Sequence, residues 1–430
     1  MRSLAGTTLA GLLLVACSFR LAETENPSAE LAIAWNELIM QTAVAEDGLL
    51  TLKGVRTAAM AHLAMHDALS SIEGRYAAYL FSEDATDADP IVAASQAGFA
   101  VAVDQYPDQR EAFEALRWSW MARAGSGADE AGVELGNRAA AAILDDRQGD
   151  GWSTEAEYAW HPMGPGVYAE FNEHSGTPEG FVFGAGWGMA RPFMLERPDQ
   201  FVSPPPPDID SPEYTEAYLE VKSVGARESS TRTADQTHLA LWWKDFVENS
   251  HNRLARDLVE RESLDLVDAN RLFALISAGT FDAYVSSFHN KFVYNHWRPY
   301  TAIRWAEHDG NPDTDPDVEW TNTHDHTYAF PSYPSAHGTA CAAAMAAFAN
   351  TFGDDYAFTM YTPVVDAAGP FSGKMETDPP SRSFESFSDA ALECTMSRLY
   401  LGIHFRYDSV EGNRLGRQVG DVAVGRLARR

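Results

Sequence analysis

Pro331-Ser-Tyr-Pro-Ser335-Ala-His337-Gly-Thr-Ala-Cys341-Ala-Ala-Ala-Met-Ala-Ala-Phe348 reads as a break followed by a helix. Pro334 ends any earlier helix. The alanine-rich run over 337–351 predicts a helix with small faces suited to close packing. Backbone N–H groups of Ser335 to Gly338 then lie at a helix N-terminus, where unpaired donors and the macrodipole favour an anion.

Outward from this stretch the pattern stays helical. Residues 266–290 place Leu272, Ile276, Gly279 and Ala283 on one stripe and deliver Lys291 at the end. Helix-period runs recur over 29–45, 54–72, near 90–105, 108–124, 128–146 and 234–261. Ser386 with Asp389 opens a further helix as a capping box, and Asp408 with Glu411 opens the last one in the same way. No strand alternation is convincing. The expected class is all-α, a large helical bundle of two packed four-helix-bundle-like halves with long connecting loops. The halves span 29–149 and 234–430. Between them, 150–233 is rich in Gly, Pro and aromatics, and a loop of that length is expected to wrap the domain.

The chain has 430 residues, 45% of them hydrophobic, enough for a large buried core. Its formal net charge of −30 disfavours nucleic-acid phosphates and anionic lipid as partners. A small anion must therefore be held by a local field. Residues 1–17 read as an export signal, with Arg2, an apolar stretch over Leu9 to Val15, and a lipobox-like Leu14-Val15-Ala16-Cys17. Residues 18–28 are a linker. The expected location is the periplasm or the outer membrane, with membrane attachment only through a lipid anchor at Cys17. Cys341 and Cys394 are expected as two buried thiols, with a disulfide open in an oxidising compartment.

Three segments carry chemistry. Lys291-Phe-Val-Tyr-Asn-His-Trp-Arg298-Pro299 gives two cations, of which Arg298 can grip an oxyanion bidentately. Pro334-Ser335-Ala336-His337 adds a hydroxyl, backbone donors and an imidazole placed to move protons. Ser397-Arg398, with His404 and Asp408, adds a third cation and a second imidazole. A neutral imidazole is a good nucleophile toward phosphorus and a good ligand for a metal-centred oxyanion. Asp408 either orients the His404 ring or caps the last helix, and the two roles are compatible.

In this order and spacing, the segments resemble the vanadium-dependent haloperoxidase and type 2 phosphatidic-acid phosphatase superfamily. Its pattern is Lys-x6-Arg-Pro, Pro-Ser-Gly-His and Ser-Arg-x5-His-x3-Asp, and only Ala336, in place of Gly, departs from it. The Phe330-Pro-Ser-Tyr-Pro-Ser lead-in and the Leu401-Gly-Ile-His-Phe-Arg-Tyr-Asp408 tail look like the bacterial haloperoxidase branch. The resemblance implies vanadate as cofactor, with no haem and no flavin. His404 would be the ligand to vanadium, and Lys291, Arg298, Ser335, the Ala336 N–H and Arg398 would hold its oxygens. His337 would deprotonate hydrogen peroxide, and Lys291 would polarise the bound peroxide. Phe330 and Phe288 would flank the halide. Chloride-oxidising members tend to carry Trp where Phe288 stands, so bromide or iodide is expected. Two other readings use the same residues: a metal-independent acid phosphatase acting through a phosphohistidine, and a non-catalytic anion-binding envelope lipoprotein.

Other signals have plainer readings. His62 and His66 are expected as helix-packing residues, and Asp313-Thr-Asp-Pro-Asp317 as a solvated acidic loop. His324 and His326, just upstream of the oxyanion loop, are expected at the surface, with lining of the entrance as the alternative. His289 and His296 have no partner visible in sequence.

Overall fold

The computed structural model describes residues 29–124, 129–362 and 377–430. The expected export signal, Cys17 and the 18–28 linker lie outside the described residues. The N-terminal helices are α1 (Ala29–Asp47), α2 (Lys53–Glu73), α3 (Pro90–Gln105), α4 (Arg110–Arg123) and α5 (Glu130–Asp146). The middle of the chain carries α6 (Asn172–Ser175), α7 (Pro212–Val224), α8 (Ala234–Trp242) and α9 (Val247–Arg261). Then follow α10 (Leu266–Tyr294), α11 (Pro299–Trp305), α12 (Ala336–Phe352), α13 (Phe387–Tyr400) and α14 (Arg406–Arg426). None of the described helices is long and apolar enough to cross a membrane.

The all-α expectation holds, and α10 is its axis. Asp265 caps the start of this helix by accepting the Asp268 N–H. It packs on α1, α2, α9, α12 and α14. One buried apolar cluster runs from Ala29 to Leu427, so the two halves share a core. The small faces foreseen on the alanine helix are met by glycines of α14. A Cβ at Gly412 would stand 2.6 Å from the Ser335 carbonyl oxygen, and one at Gly416 would overlap the Thr339 carbonyl. Only glycine permits that approach, and it brings the start of α14 against the start of α12.

The 150–233 stretch is tied to the helices by buried carboxylates and amides. Asp282 of α10 accepts the N–H groups of Phe193, Met194 and Leu195 at 2.6–2.8 Å. Asp150 accepts from both Arg56 and Arg147. Asn290 accepts the Ser203 N–H.

Several expectations need correction. The wrapping stretch is not loop throughout: Ser211 caps α7, with Pro212 in the first turn, and Tyr214, Tyr218 and Val221 face the second apolar cluster. The 234–261 helix is broken at 243–246, between α8 and α9. A two-stranded antiparallel hairpin, β1 (Phe358–Tyr361) and β2 (Ser381–Phe384), also occurs. Asp408 does not start α14 as its cap. It sits in the first turn and accepts the Phe405 N–H. His324 and His326 are buried, not superficial. His296 is buried and meets the Tyr407 hydroxyl at 2.7 Å.

Cys341 of α12 and Cys394 of α13 form a disulfide, not two thiols. The bridge closes 53 residues of chain. A loop of that length corresponds to about 4 kcal/mol of lost unfolded-state entropy. Cys394→Ser is expected to lower the melting temperature by about 5 °C, read by calorimetry; an unchanged transition contradicts it.

His62 and His66 are packing residues. His62 bonds Asn270 and Asn36 inside the core, and burial lowers its pKa to about 4. Below the ordinary imidazole value the unfolded chain takes a proton that the native one refuses. Stability contributed by neutral His62 is therefore present at pH 7 and lost on acidification toward 4. Between pH 7 and 5 the gap in stability between wild type and His62→Gln should shift by about 2 kcal/mol in the variant's favour. Denaturant titrations at both pH values read it, and parallel pH profiles would sink it.

Candidate active site

The three segments converge at the adjoining ends of α10, α12, α13 and α14. Asn295, in the left-handed conformation, ends α10 four residues after Lys291 and turns the chain toward Arg298. Ser335 caps α12 by accepting the Gly338 N–H, and its own N–H donates to the Asp408 carbonyl at 2.9 Å. That bond ties the second segment to the third. Ala336 opens α12 and is absent from the positive-φ residues, so a side chain here brings no backbone strain. The expected substitute for glycine fits.

His404 is held from both sides. Arg298 Nη1 donates to Nε2 at 3.2 Å, so Nε2 carries a lone pair; Nδ1 then carries the proton and donates to Asp408 Oδ2 at 2.9 Å. Asp408 thus both orients the ring and closes the first turn of α14. Burial first, then Arg298, Lys291 and Arg398, pulls His404 well below the usual imidazole range. The ring is neutral, as a ligand or nucleophile must be. Burial pushes the Asp408 carboxyl up to about 7 against the pull of Lys291 and Arg298.

The other cations divide into two kinds. Arg298 is fully buried, donates to the carbonyls of Phe330 and Ile403, and stacks 4.7 Å from the Phe330 ring. Its Nη2 has no partner. Arg398 donates to Ser397 Oγ and to the Trp243 carbonyl. Burial lowers both guanidinium pKa values to about 10, so both stay charged at neutral pH. Lys291 spends two of its donors on the Pro331 and Ser332 carbonyls, 2.9 and 2.7 Å away. Burial, then Arg298, depresses its pKa well below that of a free lysine.

A cavity of about 410 Å³ opens against this cluster. Ala336, His337, Arg398 and His404 line one end, with Phe288 and Phe330 beside them. Lys291, Arg298, Ser335 and Asp408 stand behind that lining. His337 is depressed by burial and then by Arg398, and its Nε2 has no partner. One of its ring nitrogens lies within 4.8 Å of the Cys341 and Cys394 sulfurs, so the disulfide backs this histidine. The unpartnered buried Arg298 Nη2, beside a helix N-terminus, fits a bound oxyanion.

Apart from His326, the other cavity residues had no signal in the sequence. Phe183 and Trp187 come from the wrapping stretch, Lys244 and Phe246 from the break between α8 and α9, and Glu248 and Tyr284 from α9 and α10. His326 and Tyr328 also face it. None belongs to a local pattern.

Residues 271–430 match the family model described as the VCPO second helical-bundle domain. That segment, which carries the whole cluster from Lys291 to Asp408, is similar to this family's domain. Vanadium chloroperoxidase of Curvularia inaequalis is 26% identical to this chain over 253 residues. That match covers 46% of this chain and 41% of the fungal enzyme's length. The fold is also that of the first bacterial vanadium-dependent iodoperoxidase, with a TM-score of 0.75, 22% identity, and 94% and 98% of the two chains covered. A holo-type bacterial vanadium-dependent chloroperoxidase superposes with a TM-score of 0.66 at 18% identity, covering 89% and 93%.

Proposed function

We propose that this chain is a vanadate-dependent haloperoxidase that oxidises bromide or iodide with hydrogen peroxide to a hypohalous-acid-type species. The observation carrying the reading is the neutral His404, locked between Asp408 and Arg298, at the end of an apolar cavity that also exposes His337 and Arg398. His404 Nε2 would take the vanadium, with Arg298, Arg398, Lys291, Ser335 and the Ala336 N–H around the oxygens. Vanadate supplies Lewis acidity toward peroxide when bound.

The chain's own residues do the rest. Arg298 and Arg398 offset the negative charge and hold its orientation. His337 Nε2, unpartnered and neutral, accepts a proton from the entering peroxide and returns it to the departing oxygen. Asp408 keeps the His404 proton on Nδ1. The rings of Phe288 and Phe330, 5.1 Å apart, exclude water beside the site. An apolar wall penalises the most strongly hydrated halide most, which favours iodide and bromide over chloride. The relatives include an iodoperoxidase and chloroperoxidases, so the preference rests on this wall alone. Export, with anchoring through Cys17, belongs to the same proposal.

The phosphatase reading uses the same His404 lone pair against phosphorus. Metal-stripped protein is assayed for iodide and bromide oxidation before and after orthovanadate, alongside a chromogenic phosphate ester. Vanadate-dependent halide oxidation is expected. Ester hydrolysis abolished by vanadate, without halide oxidation, would overturn the proposal.

A further inference from the structure

His337 and Cys341 sit four residues apart on α12, so their side chains share one helix face. Cys394 meets them from α13, which packs along α12. The two sulfurs and one ring nitrogen of His337 all lie within 4.8 Å of one another. Among the described residues, no other group of three His, Cys, Asp or Glu side chains converges in this way. Two sulfurs and an imidazole form the donor set of a thiophilic ion such as Zn²⁺, whose tetrahedral ligand atoms stand about 3.5 Å apart. With the S–S bond open, the sulfurs have only to part to reach that spacing.

The surroundings favour such an ion once the bridge is open. Both cysteines are fully buried, whereas His337 lines the cavity and offers a path inward. Its Nε2 has no hydrogen-bond partner. Arg398 follows Cys394 by one turn of α13 and lines the cavity with His337. A guanidinium so placed favours thiolate over thiol. Arg398, with Lys291 behind the lining, would repel a bare dication. Two thiolates cancel that charge, so the loaded site is neutral and cheaper to bury. Three protein ligands leave a fourth position for water from the cavity.

We propose that opening the Cys341–Cys394 bridge turns His337, Cys341 and Cys394 into a Zn²⁺ site, and that the bound ion takes His337 out of proton transfer. Metal binding stands on the geometry alone, while its effect on turnover rests on the haloperoxidase reading. A dithiol supplies the two electrons: the S–S bond breaks, two thiols form, and the reductant closes to its own disulfide. A phosphine does the same and leaves as its oxide, with the oxygen taken from water. Zn²⁺ then binds, and the two thiol protons pass to water. Hydrogen peroxide reverses the reduction, since two thiols and one peroxide give the disulfide and two waters. The bridge is therefore a redox gate. Closed, it leaves the His337 lone pair to the oxyanion site; open and loaded, it has that lone pair on the metal.

The probe is Co²⁺, because thiolate ligation gives a sulfur-to-cobalt charge-transfer band. The full chain is treated with a phosphine and desalted under argon. It should show two more thiols than the untreated chain, an unchanged circular dichroism spectrum, and one-to-one Co²⁺ binding that Zn²⁺ displaces. His337→Gln should weaken that binding at least about tenfold, and the untreated, disulfide-bonded chain should show no band. Zn²⁺ should lower the initial rate of vanadate-dependent iodide oxidation by the reduced chain about hundredfold, with recovery on adding a zinc chelator, and should leave the untreated chain's rate unchanged. A bridge that stays closed to phosphine in the folded chain overturns the proposal. So does a reduced chain without the cobalt–thiolate band, a Co²⁺ affinity unaltered in His337→Gln, or turnover indifferent to Zn²⁺. The band in a chain that oxidises no halide in either state would refute the haloperoxidase reading while upholding the metal site, so the two failures are distinguishable.

Discussion

His404→Ala should lose vanadate-dependent iodide oxidation by about 10³-fold or more, equivalent to about 4 kcal/mol of transition-state stabilisation. The ring supplies a neutral lone pair set among buried cations, since Nε2 faces Arg298 and Nδ1 is committed to Asp408. Without it the oxyanion has charge partners but no covalent anchor. The fold should tolerate the change, because Arg298 keeps its bonds to the Phe330 and Ile403 carbonyls. Triiodide absorbance, with circular dichroism as a check on folding, reads both parts. Turnover within tenfold of wild type from a folded variant would be incompatible with the proposed role.

Asp408 separates orientation from stability. In Asp408→Ala the His404 Nδ1–H and the Phe405 N–H both lose their acceptor in a buried place. Each orphaned donor costs about 1–3 kcal/mol, and Lys291 and Arg298 lose a neighbouring carboxyl. Marked destabilisation is expected. Asp408→Asn keeps an acceptor oxygen and should fold close to wild type, yet activity should still fall about hundredfold. An amide lacks the carboxylate's charge beside Nδ1 and can turn its own N–H toward the ring, which permits the wrong tautomer. Melting curves and iodide turnover of the two variants test this. If Asp408→Asn is fully active, Asp408 only closes the first turn of α14.

The site was largely legible in the sequence because its parts are local. A proline, a capping serine and an alanine run define the start of α12 without tertiary information, and His404 and Asp408 lie one helical turn apart. Lys291 reads as a helix-end cation from the α10 stripe. What was not legible depends on contacts distant in sequence. The aromatic wall is assembled from Phe183, Trp187, Phe246 and Tyr284, which share no spacing. The Cys341–Cys394 bridge required knowing that α12 and α13 pack side by side. His324 and His326 looked solvated beside Asp325, yet the turn folds them inward against Tyr328. α7 was hidden because Pro212 reads as a breaker in a stretch already rich in proline, although Pro is well tolerated in a first turn.

Orthovanadate soaked into crystals of the full chain tests the central claim most directly. The account predicts vanadium density joined to His404 Nε2, within reach of Arg298, Arg398 and the Ala336 N–H. Vanadium absent from that position under saturating orthovanadate, or found only at surface cations with Arg298 Nη1 still on the His404 ring, would contradict it.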